Sequence, residues 1–201
     1  MKTSTPKALA TREKILQAAD TLFYLHGYNA TGLDRIISAA GITKGNFYYH
    51  FKSKEALALA ALERHFEKSS SEMSDHAMKH KQSPLKMLFA ILDLMAQRQT
   101  LQYQAGNIRG CYFGNFTLEM STENKAVRRK VQSIFERIRE MFSDLLKRAA
   151  EADETAPNIS PDEASVMILS LMEGAILLDK AEQKPMAVAS AIIFIKQYLK
   201  V

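Results

Sequence analysis

The 201-residue chain has little of what irregular or cross-linked proteins are made from: one cysteine, five prolines and eight glycines. A single thiol, Cys111, excludes an intrachain disulfide framework and fits the reducing cytoplasm. So few prolines and glycines leave room for few loops. No apolar run approaches the roughly 18 residues of a membrane span, so no membrane partner is expected. The opening stretch MKTSTPKALATREK lacks the apolar core of a secretory signal. No segment alternates with period two for long enough to make a strand. A glycine-rich phosphate loop and a nucleophile elbow are also missing, and there is no parallel sheet to build them on. His76 and His80 stand one helical turn apart, but only Asp75 is near enough in sequence to help them hold a metal. Neither an enzyme, a cofactor nor a metal centre is expected.

What the chain does have is ordinary globular composition, 47% hydrophobic and 24% charged, which argues against disorder. The formal net charge is +5, and it is unevenly placed. From Met1 to Lys54 there are eight Lys/Arg against three Asp/Glu, whereas from Glu55 to Val201 the counts are 19 and 19. The whole excess therefore sits in the first quarter. A basic segment on a neutral body suits a polyanion-facing module attached to something with another task, although a solubilising surface would carry the same charge.

Apolar residues recur at helical spacing almost throughout, so the expected fold is all-α with about nine helices. Thr11 opens the first, with Ile15, Ala19, Leu22 and Phe23 on one face, and Gly27 stops it. Thr31 looks like the N-cap of a short second helix, with Asp34 completing a box-like pattern and Gly41 ending it. Thr43 caps a third, Lys44 to about His50, and Ser53 a fourth from Lys54 towards Lys79. Ser83-Pro84 opens a helix to about Gln104. The most loop-like stretch is Ala105–Gly110. Helices from Cys111 to Met120 and from Glu123 to about Ala152 follow. Ser160-Pro161-Asp162-Glu163 is a capping box leading to Lys180, and Pro185 begins the last helix, to Leu199.

Residues Thr31 to Phe51 thus read as helix, tight glycine turn, short helix, the grammar of a helix-turn-helix. In the second helix Phe47 and Phe51 share a side and can anchor it. Thr43, Lys44, Gly45 and Asn46 occupy its amino end. Lys44 can donate to guanine O6/N7 and Asn46 can pair with adenine N6/N7. Gly45 lets backbone approach a groove floor. Thr31, Tyr48, His50 and Lys54 offer donors to phosphate. An aromatic-rich helix can equally be plain core, so pattern alone leaves both readings open.

The motifs T-R-x-x-I-L-x-A-A-x-x-L-F, G-Y-N-A-T, A-G-I-T-K-G-N-F-Y-Y-H-F and K-S-K-E-A-L cover residues 11–62 and closely resemble the N-terminal domain of TetR-family transcriptional regulators. The resemblance implies a homodimeric repressor of double-stranded operator DNA. Residues 1–54 would be the helix-turn-helix domain and 55–201 a ligand-binding and dimerisation domain, linked by the fourth helix. It places Thr31, Thr43, Lys44, Gly45, Tyr48, Tyr49, His50 and Lys54 at DNA; Asn46 as an operator-specific reader is inferred from its chemistry.

Beyond about Leu62 the reading rests more on composition. The last two helices are apolar on more than one face. Pairing with a two-fold copy through Val166, Leu169, Met172, Ile176, Val188, Ile192 and Ile195 would bury the surplus, and a wide internal core would do so too. The helices between should line an effector pocket with Phe89, Leu92, Met95, Tyr103, Cys111, Phe113, Phe116, Met120, Phe142 and Met167. Ten methionines suit an adaptable cavity. Cys111 lies at a helix start beside Arg109, which favours thiolate. Together, I-R-G-C and the later G-A-I-L-L-D-K, ending at Lys180, resemble an electrophile-sensing branch of the family. Reversible binding of a small molecule and thiol sensing through Cys111 and Lys180 both remain open.

Overall fold

Hydroxyl caps followed by proline set several of the helix starts. In the computed structural model, which describes residues 5–156 and 158–200, Thr5 caps α1 (Pro6–His26), its hydroxyl accepting from the Ala8 amide. The helix therefore begins at Pro6 rather than at Thr11, whose hydroxyl donates back to the Lys7 carbonyl from inside the helix. Then come α2 (Leu33–Ala39), α3 (Lys44–His50), α4 (Lys54–Ala77) with a short 3₁₀ turn at Met78–His80, and α5 (Pro84–Gln104). The chain continues through α6 (Tyr112–Met120), α7 (Lys125–Glu151), α8 (Pro161–Glu182) and α9 (Ala187–Leu199). These nine helices are all-α architecture as expected, with no strand among the described residues. Ser53, Ser83 and Ser160 cap α4, α5 and α8, each accepting the amide three residues on. The last helix starts at Ala187 instead of Pro185. There Asp179, buried at the end of α8, accepts the Ala187 and Val188 amides at 2.6 and 3.4 Å and serves as the cap.

The chain divides into two compact units, one running up to Lys68 and taking in Tyr112–Gln132, the other made of Ser69–Cys111 and the chain from Ser133 onward. This differs from a sequence boundary at Lys54, because α6 and the first turns of α7 pack with the N-terminal helices. In the first unit Ile15, Ile36, Phe47, Leu57 and Leu62 are fully buried, and α6 adds Tyr112, Phe113, Phe116 and Met120. Phe116 meets Phe23 edge-on with ring centroids 5.7 Å apart, and Phe113 faces Phe66.

The second unit is centred on Leu88, Ile91, Leu92, Phe142, Leu146, Met172 and Ile195. Asp93 on α5 holds Lys196 on α9 at 2.7 Å. Two sequence expectations change here. Leu169, Met172, Ile176, Val188, Ile192 and Ile195 are buried within this core, so six of the seven residues expected at a dimer interface already have partners in their own chain. Only Val166 of that set is exposed. The outward face of the same helices instead carries Val166, Met167, Leu177 and Leu178 on α8 and Ile193, Phe194 and Tyr198 on α9. The expected pocket residues are also dispersed. Phe113, Phe116 and Met120 belong to the first unit, Leu92 and Phe142 are buried in the second, and Tyr103 and Met167 are exposed. Phe89, Met95 and Cys111 stay half-buried against the second core.

Candidate nucleic-acid interface

Gly41 makes the turn between α2 and α3. Its φ of +64° is open to glycine at little cost, and the Ile42 amide closes the turn on the Ile37 carbonyl at 3.2 Å. Thr43 then caps α3 by accepting from the Asn46 amide at 3.2 Å. Only Phe47 within α3 is buried, and with Phe51 just beyond its end it fixes the helix to the core, ring centroids 6.0 Å apart. The burial of that pair forces everything between and before it outward. Thr43, Lys44, Gly45, Asn46, Tyr48 and Tyr49 are exposed, Tyr49 to 78%. His50 is half-buried with its ring edge-on to Tyr49 at 4.9 Å.

The cations of this surface are lightly held. Lys44 Nζ stands 3.9 Å from Asp34, with both side chains in solvent; such a pair is screened and contributes little, so Lys44 is available to a stronger anion. Lys54 opens α4 with its ammonium 4.1 Å from the centroid of the Tyr28 ring. Burial lowers its pKa, and the nearby Glu119 carboxylate opposes that shift. Gly45 has no internal need to be glycine. A Cβ there would meet nothing closer than Thr43 Oγ1 at 3.9 Å, and its φ is ordinary.

Thr31 does not belong to this surface. It is fully buried, and its hydroxyl donates to the Leu22 and Gly27 carbonyls at 3.2 and 2.6 Å. The N-cap of α2 falls on Gly32, without a side-chain bond. The threonine is spent on closing α1 onto the loop, which leaves no donor for a phosphate.

Sequence reading missed the residue that holds the loop before α2. Glu119, on α6, accepts the Tyr28 amide at 2.8 Å with one carboxylate oxygen and the Asn29 amide at 2.5 Å with the other. Gly27 is glycine for two reasons: its φ is +81°, and a Cβ would lie 2.9 Å from the same carboxylate. Burial and the charges of Glu55 and Glu119 raise the Tyr28 pKa. Nearby, Asn124 caps α7 by accepting from the Val127 amide and donates its side-chain amide to Glu55. A second brace joins α1, α4 and α6: Asp20 pairs with Arg64 and His65, and the His65 ring stacks on Tyr112 at 4.0 Å. Glu119 and the two amides stand 91 and 90 residues apart, and such partners leave no local signal.

In the other unit Cys111 just precedes α6, half-buried and in no disulfide. Burial raises the pKa of the Glu173 carboxyl on α8, and the Cys111 thiol beside it opposes that shift. Lys180 is half-buried near the end of α8. Among the described residues no three His, Cys, Asp or Glu are grouped to hold a metal ion, so His76 and His80 gain no third ligand. No helix among these residues is long and apolar enough to cross a membrane.

Residues 15–61, the segment that builds this surface, match the bacterial regulatory proteins of the tetR family. Residues 84–195 match the tetracyclin repressor-like C-terminal domain. The chain belongs to the TetR family. Among its relatives is the HTH-type transcriptional regulator LmrA of Bacillus subtilis, 31% identical over 170 residues, 84% of this chain and 85% of LmrA. The HTH-type transcriptional repressor NemR of Escherichia coli is 30% identical over 115 residues, 56% of this chain and 53% of its own. A TetR transcriptional regulator of Chloroflexus aurantiacus superimposes with a TM-score of 0.84 at 28% identity, over 96% of each chain. As a TetR-family member the protein is a transcriptional regulator with a DNA-binding head, in a family of regulators rather than enzymes.

Proposed function

We propose that this regulator is a cytoplasmic repressor that reads operator DNA as a homodimer and releases it when a small molecule binds the C-terminal part. The carrying observation is the division of α3: Phe47 and Phe51 are buried while Thr43–Asn46 and both tyrosines face solvent. In the major groove Lys44 and Asn46 meet base edges, and Gly45 allows the helix to sit close. Thr43, Tyr48, Tyr49, His50 and Lys54 bind phosphate. The DNA-reading head is residues 1–54, part of the first compact unit, and effector binding and dimerisation fall to residues within 55–201. The effector works through different affinities for the DNA-competent and DNA-incompetent states.

Lys54→Ala is expected to weaken binding to all duplexes alike and to lower the salt slope by about one, the loss of one phosphate contact. Lys44→Ala should also flatten the preference among operator variants, by about 1–3 kcal/mol at one base pair. Anisotropy titrations at several salt concentrations check both.

The outward face of α8 and α9 supports the dimer. Val166 and Met167 lie about three turns before Leu177 and Leu178 on the same side of α8, with Gly174 between the pairs and no atom within 4 Å of its would-be Cβ. Phe194 and Tyr198 stack beside them on α9, rings nearly parallel at 6.4 Å. Two such faces related by a two-fold axis bury each other in a four-helix bundle. Ile193→Glu should give monomers in analytical ultracentrifugation and lose tight operator binding, since each monomer holds one half-site.

A second reading keeps Cys111 as a thiol sensor, favoured by its half-buried, disulfide-free thiol just before α6. Cys111→Ser decides between them: a serine protein still released from DNA by the same effector is a reversible binder.

A further inference from the structure

The side chains assigned to DNA so far stand in the turn before α3, on α3 itself and at the start of α4; the first helix contributes none. Yet α1 brings a cation to the far end of α3. Arg12, on the second turn of α1, has its guanidinium carbon 5.1 Å from the centroid of the Phe51 ring. Phe51 is buried in the core of the N-terminal unit, so the ring holds the guanidinium at a fixed place in the fold. The arginine side chain is nevertheless exposed. Its neighbour Glu13 is taken by Arg64 on α4 at 2.6 Å, and among the described residues no carboxylate pairs with Arg12.

Two more cations follow Phe51 directly. Lys52 is exposed and in no ion pair among the described residues, and Lys54 lies over the Tyr28 ring. Covering Phe51 does not require a charge, since a methionine shields a ring as well. What arginine adds is a rigid fork of N–H donors suited to a phosphate. The position suits the groove wall. Seven residues of α3 span about 10 Å, close to the roughly 12 Å width of the major groove. With Lys44 over base edges, a group at the opposite end of α3 stands at the backbone.

We propose that α1 is a further DNA-contacting element, with the Arg12 guanidinium taking a backbone phosphate at the Phe51 end of α3. The inference rests on the reading of the head as a reader of duplex DNA and adds a residue from outside the helix-turn-helix. A phosphate contact is blind to sequence, so Arg12 sets affinity and register and leaves base choice to Lys44 and Asn46. Because the ring already orders the side chain, little freedom is lost when the phosphate arrives.

The test is fluorescence anisotropy of the full chain with two labelled duplexes, one from beside the protein's own gene and one of unrelated sequence, over a series of salt concentrations. Arg12→Met should weaken binding to both by about ten-fold at low salt and lower the salt slope by about one. Arg12→Lys keeps a charge without the fork; it should keep the slope and lose part of the affinity. Lys14, also exposed and in no ion pair among the described residues, points about 200° away around α1. Lys14→Met should change the slope by less than half as much. Thermal melting reports folding, and Arg12→Gln replaces Arg12→Met if the latter does not fold. An unchanged slope in the Arg12 variant, or equal losses in Arg12→Met and Lys14→Met, would overturn the proposal. So would a loss confined to one duplex. Wild type binding neither duplex would instead sink the reading of the head, and this inference with it.

Discussion

Phe47→Ala is expected to destabilise the N-terminal unit by about 3–5 kcal/mol, the usual cost of deleting a buried aromatic ring. Phe47 has no exposed surface, it is the only buried residue within α3, and its ring meets those of Phe51 and Tyr48. A seven-residue helix has no stability of its own in water, so packing alone keeps α3 formed. Against a total stability of about 5–15 kcal/mol for an ordinary domain, that loss removes a large share. Urea unfolding followed by circular dichroism should show the midpoint collapse, and operator binding should vanish with it. Phe47→Leu, which leaves a smaller void, should retain part of both. A folded Phe47→Ala protein with wild-type midpoint would mean that α3 is held by something else.

The second large effect belongs to Glu119. Its two carboxylate oxygens take two successive amides of the loop between α1 and α2. Hydrogen bonds to a charged group contribute about 1.5–3 kcal/mol each in favourable cases, and the amides left behind would have to find water. Glu119→Ala should therefore speed hydrogen exchange at Tyr28 and Asn29 by about ten- to a hundred-fold, because local opening becomes that much easier. Tyr28 carries the ring over which Lys54 lies, so operator affinity should fall as well, and most at low salt, where the Lys54 contact counts most. Glu119→Gln separates geometry from charge. One of its two side-chain atoms can still accept, so exchange should accelerate at one amide and far less at the other. Unchanged exchange at both positions in Glu119→Ala would remove Glu119 from the account.

The helical punctuation was legible in the sequence wherever a cap and its helix are neighbours. Ser53, Ser83 and Ser160 are such cases, as is Thr43 at the helix that faces outward. The reading failed where a local pattern had a better non-local use. Thr31 has the sequence look of a cap, yet its hydroxyl closes the end of α1, and burial decides the matter. Thr11 sits one turn inside a helix that Thr5 and Pro6 start earlier. On α8 and α9 the apolar residues are dense on both sides. Periodicity alone does not say which side meets the chain's own core, and six of the seven residues expected at the interface face inward. Glu119 and Asn124 carry no such local signal, because a charged or amide residue at a helix reads as solvent-facing until its distant partner is placed. The α3 surface itself was readable because its motif is contiguous and its two phenylalanines fix the facing of everything around them.

The claim under all of this is that the exposed amino end of α3 is built for duplex DNA, and Gly45 tests it most directly. Glycine at this position serves nothing inside the protein, since a side chain has room and most residues favour a helix more than glycine does. The measurement is anisotropy of a labelled duplex taken from beside the protein's own gene, at low ionic strength, with wild type and Gly45→Gln compared at matched thermal stability. Wild type should bind with a steep salt dependence, while Gly45→Gln melts at the same temperature or slightly higher and loses at least about ten-fold in affinity, the cost of wedging a side chain into a close protein–base contact. Gly45→Gln binding as tightly as wild type, or wild type ignoring the duplex altogether, would contradict the account.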